Sequence, residues 1–402
     1  MFYKKVTLFF LIFILLFNST GCSFKKEVSR EKQLNLYIGV KDKENLNTIK
    51  TLTDLYKKKN PKLKLNVNNF VNDKIDSNIV NNNDILFIKR DDMFNFSRKG
   101  LISDMKNFYT ENNIANRYYS VMKSYGRFND KYYGIPIIPY TFELLYNKKY
   151  FEKEKIKVPE TTEEFHNLLK KINSTSEKVP VILNEGMDIN NGLFSLMAAN
   201  ELISMSKLQE IYDSSPEKYK ELTYIQKIFN NINNLTKSGY ITKDTFQLGN
   251  ESAISKFDRG EIPLIFMSSY YINDIKSQYI GSLDEKLPNI KIPVISNMVM
   301  CIPTKSSNAA EVDDFMKFTF GDKMQKEFSR MGFVTGIKNT KIQNKGAKNI
   351  VLSHIKNSTE DTIAIVYNIP YKIVRNISSK IDDIFSGKYT GNEWNDIINS
   401  SY

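Results

Sequence analysis

Apolar positions in this chain follow two periods that take turns. In Leu34-Asn35-Leu36-Tyr37-Ile38-Gly39-Val40 they alternate, the pattern of a strand. Leu46, Ile49, Leu52 and Tyr56 then recur at helical spacing until Pro61 stops the helix, and Leu63, Leu65 and Val67 alternate again. Strand, helix and strand in that order predict a βαβ unit. Further strands are expected at Asp84–Ile88, Val181–Leu183 and Leu264–Met267. Helical stripes fall at Phe165, Leu168, Leu169 and Ile172, and at Ile225, Ile228, Phe229, Ile232 and Leu235. Thr161 with Glu164 reads as a capping pair, as do Asn308 with Glu311 before Val312, Phe315 and Met316, and Thr390 with Glu393 before Trp394, Ile397 and Ile398. The alternation predicts α/β domains with strands covered by helices.

Ahead of this pattern lies a different one. Lys4 and Lys5 precede an apolar run from Val6 to Phe17, interrupted only by Thr7, and the segment closes with Ser19-Thr20-Gly21-Cys22. The run has the length of a secretion-signal core and is short for a bilayer span of about 20 residues. Small residues directly before a cysteine resemble bacterial lipoprotein signals, with Ser19 where leucine is usual. The expectation is a signal peptide over 1–21, lipidation of Cys22 and a polar tether over 22–33. The folded body then stands on the extracytoplasmic face of the cell membrane, attached to the lipid bilayer through Cys22.

The chain has 402 residues, 41 % of them hydrophobic and 12 % aromatic, enough for two packed domains. Cys301 is the only cysteine besides Cys22, which excludes a disulfide framework, and its apolar neighbours predict a buried thiol. The net charge of +12 is spread among Asn, Asp and Glu without a basic helix or finger spacing, so no nucleic acid partner is expected. Attraction to an anionic membrane surface is the simpler expectation. The sequence contains no HExxH, GxGxxG, Walker A or GxSxG pattern. Its two histidines, His166 and His354, read as surface or boundary residues. No metal or cofactor is implied, and an enzyme is not indicated.

Four local patterns in one order carry a resemblance over about residues 34–400. The first is Asp84-Ile85-Leu86-Phe87, Asp91-Asp92 and Lys99-Gly100-Leu101-Ile102-Ser103-Asp104. The second and most specific is Tyr133-Gly134-Ile135-Pro136, Leu144-Leu145-Tyr146-Asn147-Lys148 and Phe151. The third is Phe257-Asp258-Arg259-Gly260-Glu261 with Leu264 to Tyr270, and the fourth Ala309 to Phe318 with Gln325. The set resembles family 1 extracellular solute-binding proteins, the lipid-anchored or periplasmic receptors of ABC importers, many of them sugar-binding.

The resemblance implies a two-lobed α/β fold of the periplasmic-binding-protein type, with a ligand cleft between lobes joined by crossing hinge segments. Lobe one is expected over 34–137 and 296–335, and lobe two over 138–292 and 340–402. The hinges fall near 134–140, 289–297 and 333–341. Gly134 and Pro136 within an apolar stretch agree, since they suit a strand that is interrupted or lies at an edge. The implied role is a monomeric, non-catalytic receptor delivering a small polar solute, most simply a mono- or oligosaccharide, to an ABC permease in the membrane. A sensory or adaptor lipoprotein and a secreted carbohydrate-active enzyme stand as alternatives.

Carried over residue by residue, the resemblance puts Asp91 where a carboxylate accepts ligand hydroxyl hydrogens. Tyr140 falls just past the first crossing, where a ligand-facing side chain is common. Tyr270 replaces a frequent tryptophan as a stacking platform, with Tyr271 as the alternative because neighbours on a strand face opposite ways. Tyr367 is a further candidate platform. Each has a plainer reading: a solvated aspartate, a hinge packing residue, a core aromatic. Tyr146 and Asn147 are open between structural and liganding roles. The one tryptophan, Trp394, belongs to the core of the last helix, so stacking in the cleft falls to tyrosine and phenylalanine.

Overall fold

A computed structural model describes residues 32–69, 75–175, 178–201, 203–287, 290–296, 298–338 and 346–402. The expected signal peptide, Cys22 and nearly all of the tether lie outside the described residues. So do 289 and 297 of the second expected hinge and 339–341 of the third.

The first strand, β1 (Gln33–Ile38), leads through a short loop into α1 (Lys43–Lys59), whose start is fixed by Asp42 accepting a hydrogen bond from the Asn45 amide at 3.0 Å. Ile49, Leu52 and Tyr56 bury the helix stripe, and the chain turns at Asn60-Pro61 into β2 (Lys64–Asn69). β3 (Ile85–Ile88) is buried at every position and runs directly into α2 (Arg90–Arg98). β1 pairs with both β2 and β3 in parallel, the predicted βαβ arrangement.

The chain next contributes β4 (Ile135–Pro136) and the long, fully buried β5 (Tyr140–Asn147). There follow α3 (Thr162–Asn173), capped by Thr161 as predicted, then β6 (Val179–Ile182), α4 (Ile189–Ala198) and α5 (Tyr224–Lys237). β7 (Phe246–Leu248), β8 (Leu264–Ser268), β9 (Ile280–Ser282), β10 (Val294–Ile295) and β11 (Val299–Cys301) complete the strands used below. The C-terminal part is helical: α6 (Ala309–Thr319), α7 (Ala347–Asn357), α8 (Tyr371–Phe385) and α9 (Glu393–Ser401).

These strands form two main sheets. One runs β2-β1-β3-β11-β4, the other β9-β5-β8-β6-β7 with β10 also on β5. The architecture is an α/β fold with two lobes joined by crossing segments. The chain leaves the first sheet after Pro136 and enters the second at Tyr140; it returns after Ile295 and re-enters the first at Val299. Pro136 sits on the edge strand β4, where its missing N–H costs no ladder bond. A last passage follows Ile337, which still bridges Tyr118 of the first lobe, whereas α7 packs on β5 of the second.

Aromatic side chains pack the interior of both lobes. Tyr56 and Phe315 meet edge to face at 4.7 Å between α1 and α6. In the other lobe Trp394 is 1 % exposed, and its indole N–H donates to the Tyr219 carbonyl at 2.8 Å, the core role expected of it. Cys301 is a buried free thiol on β11. Three local readings change. Thr390 does not cap α9, which begins at Glu393 after Asn392; the Thr390 amide instead donates to the Glu393 carboxylate at 2.6 Å. Asn308 does not cap α6; its amide instead donates to Asp84 at 2.9 Å, holding the helix start to the first sheet. His354 is not a boundary residue: its ring lies on α7 between Glu143 and Asp284, 2.8 Å from each. An apolar stripe on a helix does not reveal a carboxylate on a neighbouring strand, which is why periodicity missed it.

Candidate ligand site between the lobes

Parallel strands β1 and β3 end on the same edge of the first sheet and feed helix N-termini there. Asp42 caps α1 and Glu44 occupies its first turn, while Asp91 and Asp92 occupy the first turn of α2. Helix starts favour carboxylates, because unpaired backbone amides carry partial positive charge. Crevices beyond the carboxyl ends of parallel strands are the general binding position of open α/β sheets.

The second lobe supplies the facing wall. β8 ends at Ser268, whose hydroxyl accepts from the Tyr270 amide at 3.3 Å and starts a 3₁₀ turn over Ser269–Asp274. Tyr270 and Tyr271 therefore do not lie on a strand, and the alternation that set one against the other does not apply. Their rings meet edge to face at 4.9 Å, and Tyr270 also packs edge-on against Tyr140 at 5.8 Å. Tyr271 donates its hydroxyl hydrogen to Glu44 across the gap at 3.0 Å.

Tyr140 begins β5 and is buried, whereas Tyr270, Tyr271 and Tyr367 are half-buried. Burial holds the Tyr140 hydroxyl well above its ordinary pKa, and the charges of Asp42 and Glu44 add to this. Tyr367 is raised by burial too, then by Tyr125, Asp42 and Asp91, and its ring lies 6.4 Å from that of Tyr125. The five candidates, Asp91, Tyr140, Tyr270, Tyr271 and Tyr367, are thus gathered around one interlobe region.

Asp91 and Asp92 keep some contact with solvent yet are surrounded by protein, as on the floor of a cleft. Burial raises the Asp91 pKa against the pull of Lys89; burial and then Asp91 push Asp92 up to about 7. Glu44 is raised by burial, with Asp42 adding to the effect.

Asp42, Glu44 and Arg90 escaped the sequence reading. For the first two a signal existed, since they lie in the turn from the first strand to the first helix. Arg90 is wholly buried and holds the site's frame. Its Nε donates to the Tyr125 carbonyl at 2.8 Å, and Nη1 reaches the Tyr367 carbonyl at 3.1 Å as well as Asn368 Oδ1. Its guanidinium lies 4.6 Å from the Phe94 ring centre and 4.9 Å from that of Tyr125. Burial lowers its pKa to about 10. Tyr146 and Asn147 do not line the gap. Asn147 is buried, donates to the Phe257 carbonyl at 2.6 Å and caps the next helix by accepting from the Tyr150 amide.

Other interlobe contacts flank the region. Arg98 pairs with Asp213 at 2.8 Å, Phe94 meets Tyr212 edge to face at 4.8 Å, and the Lys43 amide donates to Glu185 at 3.2 Å. Two hollows lie elsewhere, about 500 Å³ beside Lys32 and Tyr56 and about 450 Å³ between Ile189 and Phe385. Neither contains a candidate residue.

Two α/β lobes with an aromatic and acidic gap between crossing segments define a binding protein of the two-lobed type. Residues 42–326 match the bacterial extracellular solute-binding protein family, and the chain belongs to it. No curated protein gives a sequence match. Among solved structures, a chitin oligosaccharide binding protein superposes with a TM-score of 0.66 at 16 % identity, covering 92 % of this chain and 98 % of that one. A family 1 extracellular solute-binding protein from Bifidobacterium longum subsp. infantis gives the same values. The apo form of RafE from Streptococcus pneumoniae gives 0.64 at 20 % identity, with 92 % and 98 % covered. At these identities the likeness concerns the fold. The chain is an extracellular solute-binding protein.

Proposed function

We propose that this protein is a saccharide receptor for an ABC importer, held at the membrane by lipid on Cys22. The observation that carries the saccharide reading is the convergence of Tyr140, Tyr270, Tyr271 and Tyr367 with Asp91 between the lobes. Sugar rings present C–H faces that stack on aromatic rings and hydroxyls that donate to carboxylates. Solved relatives of the same fold include a chitin oligosaccharide binding protein and RafE in complex with raffinose, which supports the class without naming the sugar.

In this reading lobe one comprises 34–137 and 296–335, lobe two comprises 138–292 and 340–402, and they hinge about the crossing segments. Ligand bridges the walls and stabilises closure, and the closed shape is what a permease recognises. The receptor has no catalytic step. Two or more acyl chains on Cys22 hold it far more firmly than one.

The test is thermal unfolding of the chain from Cys22 onward, with Cys22→Ser to keep it unlipidated, against mono-, di- and oligosaccharides. All the strands and helices described above lie after Cys22, so this form keeps the whole folded body. A saturable rise in Tm with one sugar class is expected, because ligand binds only the folded state. No shift across the library would remove the saccharide assignment. Cys22→Ser is separately expected to abolish lipid labelling in cells; retained labelling would remove the anchor.

A further inference from the structure

The charge of the interlobe region runs against that of the protein. The chain carries a net charge of +12, yet the gap gathers Asp42, Glu44, Asp91 and Asp92, with Glu185 at its margin. Among the described residues, no salt bridge joins any of the four to a basic side chain. Arg90, adjacent in sequence to Asp91, directs its donors to the Ser124, Tyr125 and Tyr367 carbonyls and to Asn368. Lys89 bears on Asp91 and Asp92, but its side chain is exposed to water, where its field is screened.

An independent observation points to a missing partner. Glu44 is 4 % exposed, and although one carboxylate oxygen accepts from Tyr271, the other, Oε2, has no hydrogen-bond partner among the described residues. A buried carboxylate oxygen without a donor is costly, and its charge more so. Nearby, Asn184 accepts from Ser268, the residue at the end of β8, while its own amide nitrogen is buried without an acceptor among the described residues. The region thus leaves one acceptor and one donor unmatched.

Neutral hydroxyls satisfy lone pairs but do not cancel charge. Asp42 repels Glu44 and Asp91 repels Asp92, and within each pair the repulsion grows as water leaves, because the effective dielectric falls. Among the described residues no three His, Cys, Asp or Glu side chains come close enough to hold a metal ion, so the four acids form two separate pairs, a spacing that an extended organic cation can span. Its N–H groups would reach the acids, and a hydroxyl or ring oxygen would accept from Asn184. We infer that the cleft takes a cationic ligand, an aminated saccharide whose ammonium groups meet the Asp42–Glu44 and Asp91–Asp92 pairs. This rests on the saccharide-receptor reading above.

The experiment compares matched sugars that differ in one substituent. Calorimetric titration of the unlipidated chain uses cellotriose, chitotriose and tri-N-acetylchitotriose, which carry hydroxyl, ammonium and acetamide on the same backbone. Glucosamine and galactosamine are run against glucose and galactose, and spermidine serves as a cation that is not a sugar. An aminated member is expected to bind at least tenfold more tightly than its neutral and acetylated counterparts, and to lose more affinity between 50 and 500 mM NaCl. Asp91→Asn with Asp92→Asn, and separately Glu44→Gln, should erase that preference. Both variants are expected to unfold no earlier than the parent without ligand, since each removes repulsion.

Neutral or acetylated sugars binding as tightly as aminated ones would overturn the inference and leave the receptor reading intact. Spermidine binding without any sugar would overturn the saccharide reading and the aminated-saccharide inference that rests on it, leaving a site for a non-sugar cation. Failure of every probe would overturn both. A preference for aminated sugars that survives in both folded variants would overturn the assignment to these carboxylates.

Discussion

Tyr271 and Glu44 join the two lobes through a single hydrogen bond of 3.0 Å, from a half-buried phenol to a buried carboxylate. Neither residue belongs to a crossing segment, so the bond exists only when the lobes are together. Tyr271→Phe keeps the ring and deletes the bond, taking the Tyr271 hydroxyl donor away from Glu44. A hydrogen bond to a charged group contributes about 1.5–3 kcal/mol, so ligand affinity should fall by about tenfold or more. Small-angle scattering of the ligand-free variant should show a larger radius of gyration. Unchanged affinity and radius would mean that the contact is incidental.

The ion pairs of His354 predict how stability varies with pH. Burial disfavours the imidazolium, but Glu143 and Asp284 together override it and raise the pKa to about 10. Unfolded histidine titrates near 6.5, so the folded state holds the proton more tightly. This stabilisation is therefore complete below about pH 6.5 and declines as pH rises from there toward about 10. The lowered pKa of Asp284 acts oppositely, since burial opposes its charge and His354 more than compensates; its share is lost as pH falls below about 4. His354→Gln leaves Glu143 buried and uncompensated and should cost about 3–5 kcal/mol in urea unfolding near pH 6. The parent's decline between pH 7 and 10 should flatten in the variant.

Asp92 predicts the opposite slope. Its pKa is raised to about 7, by burial and then by Asp91, so its ionisation costs more in the folded than in the unfolded chain. Stability should fall as pH rises from about 4 toward 7 on this account. Asp92→Asn should raise Tm at pH 8 and leave it nearly unchanged at pH 4, as scanning calorimetry would reveal. A lower Tm at pH 8 would mean that the carboxylate is favourably held.

Gly126 predicts a steric failure close to the first crossing. A Cβ there would stand 1.8 Å from the Gly134 carbonyl oxygen, which is backbone and cannot swing aside. That oxygen also accepts from the Tyr109 hydroxyl at 2.8 Å, and the Tyr133 amide donates to the Gly126 carbonyl at 2.9 Å. Gly126→Ala should destabilise by about 1–3 kcal/mol or more, as overpacking does, read from the urea midpoint. Because the strain falls just before β4, weaker ligand binding should accompany it.

Much of this was legible in the chain. The alternation at Leu34–Val40, the stripe from Leu46 to Tyr56 and the cap at Thr161 follow from local geometry, and each lies where the pattern places it. The strand read at Val181–Leu183 begins two residues earlier, at Val179, because Pro180 obscured its start. The site was visible only in part. Asp91, Tyr140, Tyr270 and Tyr271 could be proposed because they sit in or just beside recognisable patterns; Tyr367 lies outside them. Arg90 could not, since its partners are carbonyls and an amide from distant segments that leave no periodic trace. The same holds for His354, whose two carboxylates are 211 and 70 residues away along the chain.

Cys301 has a practical consequence. Its thiol is fully buried on β11, and burial raises its pKa well above the ordinary value, so it is both inaccessible and protonated. A Cβ on Gly134, beside the first crossing, would come within 2.9 Å of the sulfur. With Cys22 replaced, this is the sole sulfhydryl in the molecule, and an alkylating dye can reach it only when the surrounding core parts. The rate at which such a dye attaches under native conditions is a built-in stopwatch for the opening of that core, readable without adding a label anywhere else.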